Sequence, residues 1–196
     1  MIATIIRSSN GAMPYPKGFL WGAATAAHQV EGGNVNDWRE WEKKNAERLA
    51  RESARSFAWN PHWEKFRSEA INPANYISGN ACDHWNRYEE DFDILKSLNL
   101  NVYRFSIEWS RIEPEEGKFD QAAIEHYRAM LAALRSRNIE PFVTLWHWTI
   151  PLWLAEKGGV RSTDFTDHFV HYAKRVVETL GHEVHFWITL NEPDVY

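Results

Sequence analysis

The chain has 196 residues, 44% of them hydrophobic and 25% charged, with a formal net charge of −5. That is enough for one medium domain with a sizeable core. The acidic balance lacks the basic excess that a general nucleic-acid binder needs to neutralise phosphates. No apolar run approaches the roughly 20 residues of a membrane span, and the single cysteine, Cys82, excludes an intrachain disulfide or a cysteine-built metal cluster.

Residues 1–17 read as a lead-in broken by Gly11, Pro14 and Pro16. Met1 to Met13 carries no signal-peptide core or cleavage site, so a cytoplasmic location is the expectation. Phe19 to Ala27 is apolar and small and predicts a first strand, which leaves through the polar exit Ala27-His28-Gln29-Val30-Glu31-Gly32-Gly33. Residues 34–83 form a long, irregular insertion after that strand. Within it Trp38 to Ala54 predicts a solvated surface helix and Trp59 to Ile71 a second, shorter one, with Pro61 near its start. An insertion of this length between a strand and its helix is more often functional or partner-binding than idle.

Asp83 reads as an N-cap, followed by Trp85, Tyr88, Phe92, Leu95 and Leu98 at helical spacing, and Asn99 to Asn101 closes that helix. Val102 to Trp109 then alternates, with Tyr103, Phe105 and Ile107 on one face and Arg104, Ser106 and Glu108 on the other, as at the polar mouth of a barrel. Asp120 caps a helix that turns Ile124, Tyr127, Leu131 and Leu134 inward. Pro141 to Trp148 predicts a third strand. Ser162 or Thr163 starts a helix with Phe165, Phe169, Tyr172, Val176 and Leu180, and Gly181 is its C-cap. Val184 to Leu190 reads as a fourth strand covered on both faces, with Asn191 and Glu192 where it runs out and Pro193 ending the ladder.

Strands alternating with helices imply parallel strands joined by right-handed crossovers. The fold class is α/β of the (β/α)8 TIM-barrel type, with only the first four β/α strands present: a half-barrel. Residues 1–196 form a single domain, and 34–83 is the insertion within it. In such a sheet the carboxyl ends of the strands share one face, where catalytic groups gather. Those ends carry His28 and Gln29, Glu108 and Trp109, His147 and Trp148, and Asn191 and Glu192. Amides, imidazole, indoles and carboxylates suit a polyhydroxylated ligand, whose hydroxyls need donors and acceptors and whose C–H faces stack on rings. Eleven tryptophans suit both a core and such a surface. The pairs His168/His171 and His182/His185 have no third ligand nearby and predict no metal site.

Four segments in order carry a resemblance: Pro16-Lys17-Gly18-Phe19-Leu20-Trp21-Gly22 continuing to Gly32, Tyr103-Arg104-Phe105-Ser106-Ile107-Glu108-Trp109 continuing to Pro114, Thr144-Leu145-Trp146-His147-Trp148 with Pro151, and Thr189-Leu190-Asn191-Glu192-Pro193. Over residues 14–196 the chain resembles the N-terminal half of a family-1 glycoside hydrolase, of the β-glucosidase group. The resemblance implies a retaining β-glycosidase acting on terminal β-linked sugars without metal or organic cofactor. It implies that Glu192 is the acid/base carboxylate and that Asn191 holds the sugar 2-hydroxyl. Gln29, His147 and Trp148 would hold hydroxyls of the non-reducing sugar, and Arg104 would keep the nucleophile ionised.

The sequence departs from the pattern in two places. Thr149 stands where the family often has Asp, and no Glu here matches the nucleophile, which the family carries on a seventh strand. Glu108 occupies a position where the family tolerates Ser, and Glu31 lies in the turn after the first strand, so neither is its equivalent. Two expectations follow for partners besides a β-glycoside or oligosaccharide substrate. A complementary C-terminal half-barrel chain supplies the nucleophile, or the half-barrel self-associates as a homo-oligomer, catalytically inactive, in a sugar-binding or assembly role.

Overall fold

The computed structural model describes residues 15–195. The chain runs through β1 (Gly22–Ala24), the single turn α1 (Ala27–Val30), α2 (Asp37–Ser56), α3 (Trp63–Ala70), α4 (His84–Ser97) and β2 (Val102–Ser106). It continues through the short α5 (Trp109–Ile112), α6 (Gln121–Ser136), β3 (Glu140–Trp146), α7 (Leu152–Glu156), α8 (Phe165–Leu180) and β4 (Phe186–Leu190). The four strands form one sheet in the order β1-β2-β3-β4, and every neighbouring pair is parallel. This order advances in one direction, without the reversal that marks a doubly wound sheet. Ser106 lies level with Thr144, and Trp146 with Leu190, so the carboxyl ends of β2, β3 and β4 open on one edge.

Alternation in β2 builds the core. Tyr103 and Phe105, with Ile107 beyond the strand, are buried in a cluster with Phe92 and Leu95 of α4, Tyr127, Leu131 and Leu134 of α6, and Tyr172, Val176 and Leu180 of α8. The Tyr172 hydroxyl donates to the Leu145 carbonyl at 2.8 Å, so this large buried ring leaves no unpaired polar atom. Asp120 caps α6 as its sequence predicts, accepting from the backbone N–H of Ala122 and Ala123 at 2.8 and 3.1 Å. Helices α4 and α6 both stop at an asparagine with positive φ, Asn99 at 57° and Asn138 at 59°, and the chain then enters β2 or β3. Asn tolerates that left-handed geometry better than most residues.

Several expectations are corrected. The first strand is three residues rather than nine. A Cβ on Gly22 would lie 2.2 Å from the Val102 carbonyl oxygen, so the closest approach to β2 depends on a glycine. Beyond Ala24 the chain leaves the ladder: the Ala27 N–H turns to the Ser106 hydroxyl at 2.8 Å, and α1 forms where a turn was expected. The strand predicted as Val102 to Trp109 ends at Ser106, because Glu108 becomes the N-cap of α5. Asp83 occupies the N-cap position of α4 but has φ +57° and makes no side-chain cap bond, accepting instead from the Asn86 side chain. Leu98 is exposed, while His84 takes an inward position on α4. The N-cap of α8 is Asp164 rather than Ser162 or Thr163. In β4, Phe186 and Thr189 are exposed, so that strand is not covered on both faces in this chain.

Residues 34–83 contain α2, α3 and a 3-10 turn, Pro73–Tyr76. Helix α2 buries Ala46, Ala50 and Ser53 and exposes most of its charged residues. Phe57, Trp63 and Phe66 make a small aromatic cluster that closes α2 onto α3. Among the described residues no helix is long and apolar enough to cross a membrane.

Candidate active site at the strand ends

Arg104 and Asn191 join β2 to the end of β4. The Arg104 Nη2 donates to Asn191 Oδ1 at 2.5 Å, and its Nε donates to the Thr144 hydroxyl at 3.0 Å. Arginine has no acceptor, so the amide orientation is fixed: Oδ1 faces the guanidinium and Nδ2 is left to donate. The backbone of Asn191 is held as well. Its N–H donates to the Trp146 carbonyl at 3.0 Å, and its carbonyl accepts from Trp148 Nε1 at 2.9 Å. A side chain held on this many sides loses little entropy when it meets a ligand.

Two neighbouring site residues adopt the left-handed region that only glycine visits freely. Trp148 has φ +75° and Glu192 has φ +43°. Strain of this kind persists where surrounding contacts enforce it. For Trp148 those contacts are the bond to Asn191 and the ring of Trp38, 5.7 Å away. Glu192 is exposed, and among the described residues its carboxylate accepts no hydrogen bond.

His147 is half-buried, and its Nδ1 is buried without a partner. Burial, with the Arg104 charge adding to it, pushes its imidazole down to about 4. It is therefore neutral near pH 7 and serves as a hydrogen-bonding group rather than a cation. Gln29 lies in α1, exposed, with its N–H on the Ala26 carbonyl at 3.0 Å. Its neighbour His28 turns inward, as expected for a residue that supports the site from behind.

The two other carboxylates weighed in the sequence are committed elsewhere. Glu108 is buried, its Oε1 accepting from the Ser110 hydroxyl at 2.8 Å and its Oε2 from the Thr149 hydroxyl at 2.9 Å. It therefore does not extend the polar row of Arg104 and Ser106 into an open mouth. Glu31 is buried between Arg111 Nε at 2.8 Å and the Tyr127 hydroxyl at 2.7 Å. Burial, opposed by Arg111 and Tyr127 and reinforced by Glu108, pushes the Glu31 carboxyl up to about 7.

Sequence reasoning missed two contributors, Thr144 and Trp38, and the contact that Ser106 of the polar row makes. Thr144 is fully buried on Arg104, and strand parity gives a signal for it, since Thr144 pairs with Ser106 in register and shares the face of the Arg104–Ser106 row. Ser106 holds the start of α1. Trp38 packs on both His28 and Trp148, with ring centroids 5.7 Å from each, and its loosely periodic segment carried no signal of that contact.

The arrangement is a parallel α/β scaffold with an amide, an imidazole, indoles and a free carboxylate at its strand ends, a set suited to a polyhydroxylated ligand. The chain belongs to glycosyl hydrolase family 1, whose profile matches residues 12–196. It is 38% identical over 181 residues to 1,4-beta-D-glucan glucohydrolase of Thermotoga neapolitana, covering 91% of this chain and 38% of that protein. It is 39% identical over 183 residues to beta-glucosidase A of Acetivibrio thermocellus, covering 92% and 37%. Among solved structures, a beta-glycosidase from Pyrococcus horikoshii superposes with a TM-score of 0.74 at 39% identity, covering 93% of this chain and 37% of that one. A family 1 b-glucosidase from Thermotoga maritima gives a TM-score of 0.76 at 34% identity, covering 92% and 37%. The chain thus spans little more than a third of the length of these relatives.

Proposed function

We propose that this chain forms the acid/base half of a retaining β-glycosidase, acting on terminal β-linked, glucoside-like sugars. Its four strands are then the first half of a (β/α)8 barrel, and residues 34–83 are an insertion within that single domain. The observation that carries the reading is the Arg104–Asn191 bond, which fixes an amide donor at the end of β4, one residue before the exposed Glu192. In this reading Glu192 gives its proton to the glycosidic oxygen as the C–O bond breaks, and a second carboxylate attacks the anomeric carbon to form a glycosyl ester. Glu192 then takes a proton from the water that hydrolyses that ester. Asn191 Nδ2 donates to the sugar 2-hydroxyl, and Gln29, His147 and Trp148 hold the other hydroxyls. Arg104 keeps the second carboxylate ionised.

The second carboxylate must stand about 5–5.5 Å from the first in a retaining pair. Glu31 and Glu108 are buried in their own hydrogen bonds, so we assign that role to a carboxylate in the complementary half of the barrel. The test is aryl β-glucoside hydrolysis by the chain mixed with a C-terminal half-barrel of the family. Glu192→Gln should lower that activity by about 10²–10⁴-fold and leave the unfolding midpoint unchanged. Undiminished hydrolysis by the variant would remove the acid/base assignment.

One observation favours a second reading. The residues of β1 are exposed throughout, and Phe186 at the start of β4 is exposed too. Open strand edges invite pairing with another chain. A second copy closing the sheet would make an inactive homo-oligomer, with two Glu192 side chains on opposite sides of the opening. Solution mass on the same sample separates the two readings: an inactive dimer supports self-association, and a monomer activated by the complementary half supports the split enzyme.

A further inference from the structure

The inserted segment meets the sugar-holding turn at the His28 side chain and at the Ala27 carbonyl, which accepts from Asn34 Nδ2 at 3.1 Å. His28 sits beside Gln29 and is buried, and three inserted residues take both of its ring nitrogens. Asn36 Oδ1 accepts the Arg39 N–H at 3.0 Å, so its Nδ2 is the group facing His28 Nδ1 at 3.1 Å. His28 Nδ1 is therefore the acceptor, and Nε2 carries the proton. That proton points to Glu42 Oε1 and the Ser78 oxygen, each 3.0 Å away. Ser78 in turn gives its hydroxyl and its backbone N–H to the two oxygens of Glu42, at 2.5 and 3.0 Å. Both ring nitrogens of His28 and both oxygens of Glu42 thus have partners, which holds the cluster in a specific geometry.

The backbone closes the same junction. The Gly33 N–H donates to the Gly79 carbonyl at 2.9 Å. Gly32, at φ +80°, lies so close to the other limb of the segment that a Cβ there would be 2.1 Å from the Asn80 carbonyl oxygen.

We propose that residues 34–83 are a positioning element for Gln29, acting through the Glu42–Ser78–His28 cluster to fix the turn that presents this amide to the sugar. The inference rests on the glycosidase reading for what Gln29 touches, but the fixing of the turn is measurable without it. Glu42 and Ser78 are positioning residues: each meets His28, and among the described residues neither hydrogen-bonds Gln29, His147, Trp148, Asn191 or Glu192.

The experiment measures two quantities on the same chain: hydrogen exchange of the Gln29 and Glu31 amides, and binding of a glucose-configured iminosugar. Glu42→Ala should speed that exchange and weaken binding, each by about tenfold, as loss of a buried hydrogen-bond partner implies. Glu42→Gln keeps one acceptor oxygen for His28 and the Ser78 hydroxyl but turns an NH2 toward the Ser78 N–H, so both readouts should fall between wild type and Glu42→Ala. In a Gln29→Ala background, Glu42→Ala should change binding by less than about twofold, because the two act through one contact. Glu52→Ala, on the exposed face of α2, should change neither. Ser78→Ala is the milder variant if Glu42→Ala does not fold, with the same direction in both readouts.

Unchanged exchange in Glu42→Ala or Ser78→Ala overturns the proposal, whatever happens to binding. Additive losses in the Gln29→Ala background overturn it as well. Faster exchange in a chain that binds no iminosugar even when mixed with a C-terminal half-barrel of the family keeps the turn-fixing role and removes the glycosidase reading instead.

Discussion

Glu192 and the pair Glu31 and Glu108 all follow the carboxyl ends of strands, yet their surroundings are opposite. Glu192 is exposed and accepts no hydrogen bond among the described residues. Glu31 and Glu108 are 2% and 1% exposed, and each accepts from two or more groups. A carboxylate at a strand end is thus a candidate catalyst only if nothing else uses it. The buried pair instead joins α1, α5, α6 and the loop after β3, and so braces the scaffold that sets Gln29 and Arg104. The comparison is sharpened by breaking the buried side while the free side stays intact.

The largest effect should come from Arg111→Ala. Arg111 donates to Glu31 at 2.8 Å and to the Gly32 carbonyl at 2.5 Å, and its guanidinium lies 3.9 Å above the Trp85 ring. Removing it leaves a buried carboxylate without its cation, a change that costs about 3 kcal/mol or more. Chemical denaturation at pH 7 measures this, and a loss below about 1 kcal/mol would mean that the pair does not brace the fold. Tyr127→Phe comes next. The hydroxyl accepts the Glu108 N–H at 2.9 Å and donates to Glu31 at 2.7 Å, so its loss strands two buried polar atoms. The expected cost is about 2 kcal/mol, read from the same denaturation curves.

These same residues mark how far the sequence could be read. The alternation of β2, the Asp120 cap and the helical spacing of α6 gave the sheet and its core, because burial follows periodicity. The parallel order put Arg104, His147, Trp148 and Asn191 at one edge. Long-range polar matching was not legible. Glu108 accepts from the Thr149 hydroxyl across 41 positions, and neither residue's sequence neighbours encode that bond. Trp38 and Glu42 were hidden for a similar reason: they act across the fold on Trp148 and His28, and no local pattern in α2 encodes that. Short apolar runs were over-read as strand, since Phe19 to Trp21 has strand composition but only Gly22 to Ala24 pairs in the ladder.

The effect smallest at any single step of pH, and the most specific to the buried side, is the dependence of stability on pH. Burial raises the Glu31 carboxyl from the ordinary 4.5 to about 7 in the folded chain. Between those values the folded state holds a proton that the unfolded state has lost, so stability falls as pH rises through the window. Asp37, raised to about 6 mainly by burial, tilts the curve the same way over a lower range. His147 tilts it the other way. Its folded value of about 4 lies below the usual 6.5, so its contribution is present above 6.5 and is lost as pH falls through 4. Glu31→Gln removes one of the three slopes and keeps the side-chain shape. The stability of wild type relative to Glu31→Gln should therefore grow as pH is lowered from 7 to 4.5, by at most about 1.4 kcal/mol per pH unit. Urea denaturation of both proteins across that range reads the difference directly. A difference independent of pH would mean that Glu31 is ionised throughout, held by Arg111 against its burial. The buried side would then be set apart by its burial and its hydrogen bonds alone.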